Sequence, residues 1–249
     1  MEMWSLGTAL RNPYRIEEFL RVLSRFDGEI WNNNTQLDYY IELIRSNVVN
    51  PKKVRISDLN CNQQEARRIM RTRYEDAPMR GRVLGSLFEK LGIINIINNR
   101  INITQIGSNI LERNGDFSEN LIEALRSWRY INPISQLNNS IRTVNFNPFI
   151  ATINVIGRVN QIIGENSGIS YQEYIFFVKI LDSYDLIDYS ANLIVNSRRD
   201  TRILQNQIEF VRRNCINDYN ENDYSDNEIK YFVATNLLTF NNGILNLNY

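Results

Sequence analysis

LGIINIINNRINI (Leu91 to Ile103) and LLTFNNGILNL (Leu237 to Leu247) decide how the rest of the chain is read. In the first, isoleucines alternate on either side of Asn98-Asn99-Arg100; in the second, apolar residues flank Asn241-Asn242-Gly243. A period of two marks a half-buried strand, and asparagine and glycine tolerate the positive φ of a tight turn. Each stretch therefore reads as a hairpin, and each directly follows a helix end. Upstream of the first hairpin, Gln63 to Tyr74 reads as a polar, arginine-rich helix. Pro78 to Leu91 reads as an amphipathic one, with Val83, Leu84, Leu87, Phe88 and Leu91 on its apolar side and Gly92 as its stop. Thr104 caps a further helix to about Glu112. Upstream of the second hairpin, Ser225 with Glu228 reads as a capping box opening a helix to about Asn236. The expected fold class is mainly α with short β-hairpins, arranged as two winged-helix (helix-turn-helix) units.

Further out, Asn12-Pro13 opens a helix to Phe26 with Ile16, Phe19, Leu20, Leu23 and Phe26 on one face. A second helix is expected from about Thr35 to Ser46. Phe117 to Tyr130, Pro148 to Ile163, Tyr171 to Leu181 (capped by Ser170) and Asp200 to Asn214 also read as helical. A boundary is expected between Pro133 and Asn145. It separates residues 1–133, the N-terminal helices plus the first winged-helix unit, from residues 145–249, a second helical and winged-helix unit ending in a hairpin.

Composition removes several chemistries. The 249 residues contain no histidine, so an imidazole base or ligand is excluded, and with it Ser-His-Asp hydrolases, HNH-type nucleases and zinc deaminases. Cys61 and Cys215 stand far apart with no CxxC spacing, as two reduced thiols would. No GxGxxG or GxxxxGK[ST] loop occurs. Apolar runs such as Tyr174 to Val178 are too short to span a membrane, and Met1 to Leu10 lacks the basic start of a signal peptide. A cytoplasmic protein is expected.

Formal net charge is zero, yet the distribution is uneven. Nine basic residues lie between Lys52 and Arg82 (Lys52, Lys53, Arg55, Arg67, Arg68, Arg71, Arg73, Arg80, Arg82) against four acids. Arginine outnumbers lysine 23 to 5, and its planar fork suits phosphates and guanine edges. The candidate DNA face is therefore Arg67, Arg68, Arg71 and Arg73 on one helix with Lys52, Lys53 and Arg55 before it. Arg80 and Arg82 stand at the start of the next helix, where free amides favour phosphate, and Arg100 at the hairpin tip. Arg198, Arg199 and Arg202 are the counterparts in the second unit. Gln63 and Gln64 would suit adenine. Each arginine has a plainer alternative as a solvated or ion-paired surface group. The aromatic residues fall at helix-core spacing and read as packing.

Several stretches, in order, resemble one family: LRNPYRIEEFLRVLSRFDGEIWN (Leu10 to Asn32), EDAPMRGRVLGSLFEKLGIINIINNRINITQIGSNIL (Glu75 to Leu111), LIEALRSWRYINP (Leu121 to Pro133), NFNPFIATINVIGRV (Asn145 to Val159) and the final YFVATNLLTFNNGILNLN. They are similar to the AlwI-like type IIS restriction and nicking endonucleases. That resemblance implies an N-terminal recognition region of winged-helix-like subdomains reading a short asymmetric double-stranded DNA site. It also implies a separate magnesium-dependent PD-(D/E)xK domain that cuts at a fixed distance. The chain ends where the recognition region would end, so the expectation is a recognition module, a monomer on DNA, working with a nuclease domain or subunit. No catalytic or metal-binding residue and no cofactor is expected within it; magnesium would belong to the cleavage domain. Glu228-Ile229-Lys230 has the E-x-K spacing but sits in a stretch that reads as helix, and Asp182, Asp185 and Asp188 read as surface acids. A winged-helix transcription regulator and a protein-interaction scaffold are the alternatives.

Overall fold

Asparagine oxygens begin helix after helix in the computed structural model, which describes residues 3–74, 76–129, 146–214 and 226–248. Contacts divide the chain into two units, Gly7–Ala124 and Leu125–Tyr249 together with Met1–Leu6. The boundary expected between Pro133 and Asn145 falls outside the described residues. Helix predominates, with two small antiparallel sheets.

In the first unit, Asn12 accepts from Tyr14 N and Pro13 fills the first turn. That 3-10 turn passes into α1 (Ile16–Leu23), which buries Ile16, Phe19, Leu20, Val22 and Leu23. Asn32 accepts from Asn34 N and Thr35 N to open α2 (Asn33–Arg45), and Asn62 from Glu65 N to open α3 (Gln63–Arg73). Each cap satisfies an amide that the helix itself leaves unpaired. Next come α4 (Ala77–Lys90), β1 (Ile94–Ile97), β2 (Arg100–Ile103), α5 (Gln105–Glu112) and α6 (Phe117–Ser127). The hairpin pairs Ile94 with Ile103 and Ile96 with Ile101, so its isoleucine face turns inward and Asn95, Ile97 and Arg100 outward. A third strand segment escaped the sequence reading. Gly28 N donates to Ile101 O at 2.8 Å, Ile101 N to Glu29 O at 3.0 Å and Trp31 N to Asn99 O at 2.7 Å.

The second unit runs α7 (Pro148–Ile163), β3 (Ile169–Ser170), α8 (Tyr171–Glu173) continued by a π turn (Tyr174–Val178), α9 (Ile187–Arg199), α10 (Thr201–Asn214), α11 (Asn227–Val233), β4 (Leu238–Asn241) and β5 (Ile244–Leu247). Ser170 and Glu173 form the expected capping box. Helix α9 had no counterpart in the sequence reading, although Ile187, Ala191, Ile194 and Val195 carry a helical period. The core joins Trp4 edge-on to Trp128 (5.6 Å) and Tyr174 (5.9 Å), with Phe149 on Phe232 (5.2 Å). The expected Ser225–Glu228 capping box falls partly outside the described residues, at Ser225. The buried Glu228 carboxylate accepts from Leu6 N and pairs with the buried Lys179 Nζ, each at 3.0 Å.

The two units share one plan, position by position. Asn12-Pro13 and Asn147-Pro148 open the first helical stretch of each. A positive-φ glycine, Gly28 or Gly168, leads into a segment that pairs with the second hairpin strand, a single bridge at Ile30–Arg100 in the first unit and strand β3 in the second. Trp31 N donates to Asn99 O, and Tyr171 N to Gly243 O at 2.9 Å. Each hairpin is reached through a left-handed residue, Gly92 (φ 64°) or Asn236 (φ 61°). Each turns on a left-handed pair, Asn98-Asn99 or Asn242-Gly243. Two successive positive φ values give the turn whose twist matches a hairpin, and asparagine and glycine reach them with least strain.

Candidate nucleic-acid interface

Basic side chains concentrate in the first unit, and its packing sorts them into those turned inward and those left for a partner. Arg67 turns inward. Its Nε donates to Asp38 Oδ1 at 2.6 Å and its Nη2 to Asp38 Oδ2, a fork-on-carboxylate pair that joins α3 to α2. The Asp38 hydrogen bond raises the Arg67 pKa further above its ordinary value. Gln63 is committed as well, donating to Asp38 at 2.7 Å and accepting from Arg45 at 2.6 Å. Arg67 therefore does not share an outward side with Arg71; it fixes the helix that presents the others.

Arg68 and Arg71, with Gln64 and Thr72, line a shallow groove of about 450 Å³ on the outer side of α3. Arg68 is 72% exposed and pairs only with Glu65 on its own helix; Arg71 donates to Asn34 Oδ1 at 2.7 Å. Such exposed pairings hold little free energy and exchange readily for a phosphate. Lys52 and Arg55 are exposed in the loop before α3. Arg73 reaches Asp58 at 3.1 Å, and Lys53 lies over the Tyr74 ring at 5.9 Å. Tyr74 in turn contacts Tyr40, whose phenol is pushed well above its usual range, chiefly by burial and then by the Tyr74 hydroxyl. Tyr40, Tyr74 and Arg80 line a cleft of about 590 Å³ with Arg11 and Arg15.

Arg80 and Arg82 are exposed on α4, Arg82 one turn further in than the free amides of its first turn. The helix is seated closely: a Cβ on Gly81 would lie 2.8 Å from the Gln36 carbonyl carbon, and one on Gly85 3.1 Å from Trp31 Cε2 and nearer still to Cζ2. Hydrophobicity alone missed Met79 and Val83, which are 38% and 36% exposed on the same helix although apolar. Val83 was expected on the packed side.

Arg100 is the first residue of β2 rather than the tip, which is Asn98-Asn99; its Nη1 donates to Gly28 O at 2.7 Å. In the second unit the guanidinium of Arg198 is committed within the fold, reaching Glu173 twice at 2.8 Å and Gly168 O at 2.6 Å. Arg199 is exposed at the end of α9, and Arg202 pairs with Asp200 at 2.7 Å. Glu228 is held by Lys179, and Lys230 pairs with Asp226 at 2.7 Å, so the two ends of the E-x-K spacing take separate partners. Among the described residues no three His, Cys, Asp or Glu converge as a metal site would require, and no helix is long and apolar enough to cross a membrane.

A family model described as AlwI restriction endonuclease matches residues 89–248, from the end of α4 through the last hairpin. No curated protein matches the chain.

Proposed function

The chain belongs to the AlwI restriction endonuclease family, and from that premise we propose that these residues bind double-stranded DNA and recognise a short asymmetric sequence for a type IIS restriction or nicking enzyme. In this reading both units are winged helices. The observation that carries it is the shared plan: a helix feeding an Asn-turn hairpin, with a further segment pairing on the hairpin's second strand, a bridge in one unit and a short strand in the other. The first unit adds exposed cations that, among the described residues, no buried acid holds. Lys52, Lys53, Arg55, Arg68, Arg71, Arg73 and Arg80 supply phosphate contacts, which give affinity and orientation but no sequence information. Arg199 and Arg202 make a smaller contribution of the same kind. Arg67, Arg100 and Arg198 hold the scaffold that positions them. Phosphodiester cleavage, with its magnesium, is assigned to PD-(D/E)xK residues of the enzyme other than these, and the binding species is a monomer.

Selection of bound sequences from random duplex DNA, followed by anisotropy titrations at several salt concentrations, tests the reading. One asymmetric consensus should emerge. The Arg68→Ala/Arg71→Ala double variant should flatten the log K against log [salt] slope by about 1.8, roughly 0.9 for each phosphate no longer neutralised, while leaving the consensus unchanged. Equal binding to all duplexes overturns it. A palindromic consensus bound by a dimer would favour a transcription regulator, and salt-dependent binding absent altogether would favour a protein scaffold.

A further inference from the structure

We infer that α4 is the base-reading helix, that Met79 and Val83 on it sense the 5-methyl groups of thymine in the major groove, and that the matching helix of the second unit, α11, reads nothing. The inference rests on the DNA reading above and goes beyond it by naming the reading face.

The two helices occupy the same place in the shared plan, each feeding its hairpin through a left-handed residue. Their surroundings differ. In α11, Asn227, Glu228, Ile229, Tyr231 and Phe232 are all buried, with Phe232 against Phe149 and Tyr174 and Glu228 against Lys179. Its partly exposed side is the narrow row of Asp226, Lys230 and Val233, where the one cation is already paired with Asp226 at 2.7 Å. In α4 the buried stripe is Ala77, Gly81, Leu84 and Phe88, and opposite it stand Met79, Arg82, Val83 and Ser86. These four fall at i, i+3, i+4 and i+7, which is one face of a helix. Met79 and Val83 stand at the edge of the cleft they line with Leu10, Phe19, Val48 and Val49, yet keep 38% and 36% of their surface exposed beside Arg82 and Ser86, so the face offers a partner apolar points next to polar ones.

The major groove is such a surface. A guanine edge offers two acceptors to a guanidinium, serine suits either edge, and each thymine projects a methyl group. An uncharged apolar partner would match the apolar pair but not the excess of cations around it, whereas duplex DNA meets both. The close seating of Gly81 against Gln36 and of Gly85 against Trp31 holds this face rigid, which base reading requires. The minor groove has no methyl groups, so sensitivity to the methyl reports the groove as well as the residue.

Deoxyuridine replacement in the selected duplex is the test, because it deletes the methyl and leaves base pairing intact. Wild-type protein should lose about four-fold in affinity for each methyl sensed, the value of one buried methyl-sized group. At those positions Met79→Ala and Val83→Ala should each become indifferent to thymine against deoxyuridine, and Arg82→Ala should relax selection at a neighbouring guanine. A wild type that selects a site yet responds to no deoxyuridine substitution overturns the inference and leaves sequence-specific binding standing. So does unchanged methyl sensing in both variants. Failure to select any sequence defeats the proposed function itself and is read from the first experiment alone.

Discussion

Replacing Gly81 by alanine sets two effects of opposite sign against each other. Within a helix, alanine is favoured over glycine by about 1 kcal/mol through backbone entropy. At Gly81, however, the new Cβ would lie 2.8 Å from the carbonyl carbon and 3.3 Å from the Cα of Gln36, and nearer still to the carbonyl oxygen. Carbon contacts are ordinarily about 3.5–4.0 Å, so α4 must retreat from α2 by roughly 1 Å. What it meets is backbone, which has no rotamer to change. Overpacking of this kind costs about 1–3 kcal/mol, and a rigid neighbour places the cost at the upper end. The net expectation for Gly81→Ala is therefore a loss of about 2 kcal/mol once the propensity gain is deducted.

Urea unfolding followed by circular dichroism reads that quantity directly, with a lowered midpoint and an unchanged slope. The same retreat should weaken selective DNA binding more than Gly85→Ala does, since Gly85 meets the side chain of Trp31 and a side chain can turn aside. A Gly81→Ala protein that gains about 1 kcal/mol, the propensity term alone, would refute the close seating of α4 on α2.

Other perturbations address the second unit and the acid limb. Lys179→Met strands the buried Glu228 carboxylate and should cost about 3–5 kcal/mol by denaturant titration, while Lys179→Met/Glu228→Gln should recover most of the loss; equal losses in the single and double variants would show that the charges are not coupled. Glu17 is held below its ordinary 4.5 by hydrogen bonds from Arg21 and then Arg113. A carboxylate whose folded pKa is depressed adds stability that is complete above its unfolded value and lost as the pH falls through the folded one. Glu17→Gln should therefore flatten stability against pH below about 4.5, and acid limbs that superimpose would exclude that role.

The hairpins were legible because the period-two isoleucines and the Asn turns are both local signals, carried by adjacent residues. Helix starts were legible for the same reason: Asn12, Thr104 and Ser170 each cap within three residues of themselves. The third pairing segments were not, since Ile30 and Ser170 join their hairpins only by pairing with Arg100 and Ile244, far along the chain. Long-range pairing also hid the partners of the charged residues. The spacing of Arg67 and Arg71 placed them on one side of a helix, but Asp38, which draws Arg67 inward, lies on another helix altogether. The burial of Glu228 was hidden likewise, since Leu6 N and Lys179, which this carboxylate meets, lie far along the chain. The seating of α4 was visible only as two glycines, Gly81 and Gly85, that a helix would not choose for propensity.

Part of the arginine excess has an origin other than DNA, and a stability measurement separates the two. At the equivalent place in each unit the strand-leading glycine offers its carbonyl to an arginine: Gly28 O to Arg100 at 2.7 Å, and Gly168 O to Arg198 at 2.6 Å. The arginines come from different elements, a hairpin strand in one unit and α9 in the other, so the shared requirement is the carbonyl and not an inherited residue. Arg198 has the heavier role. It also neutralises Glu173, a buried carboxylate that accepts from Ser170 N at 2.6 Å and so caps α8. Arg198→Ala removes the counter-charge of a buried acid and should cost about 3 kcal/mol, against about 1 kcal/mol for the single carbonyl hydrogen bond that Arg100→Ala removes. Arg198→Ala/Glu173→Gln should regain much of the difference, because no buried charge is then left alone. DNA affinity measured well below the unfolding midpoint should change little in Arg198→Ala while falling in Arg68→Ala/Arg71→Ala. An Arg198→Ala protein of unaltered stability whose DNA affinity collapses would reverse the assignment, placing the guanidinium on a phosphate in the complex and its ion pair with Glu173 only in the free protein.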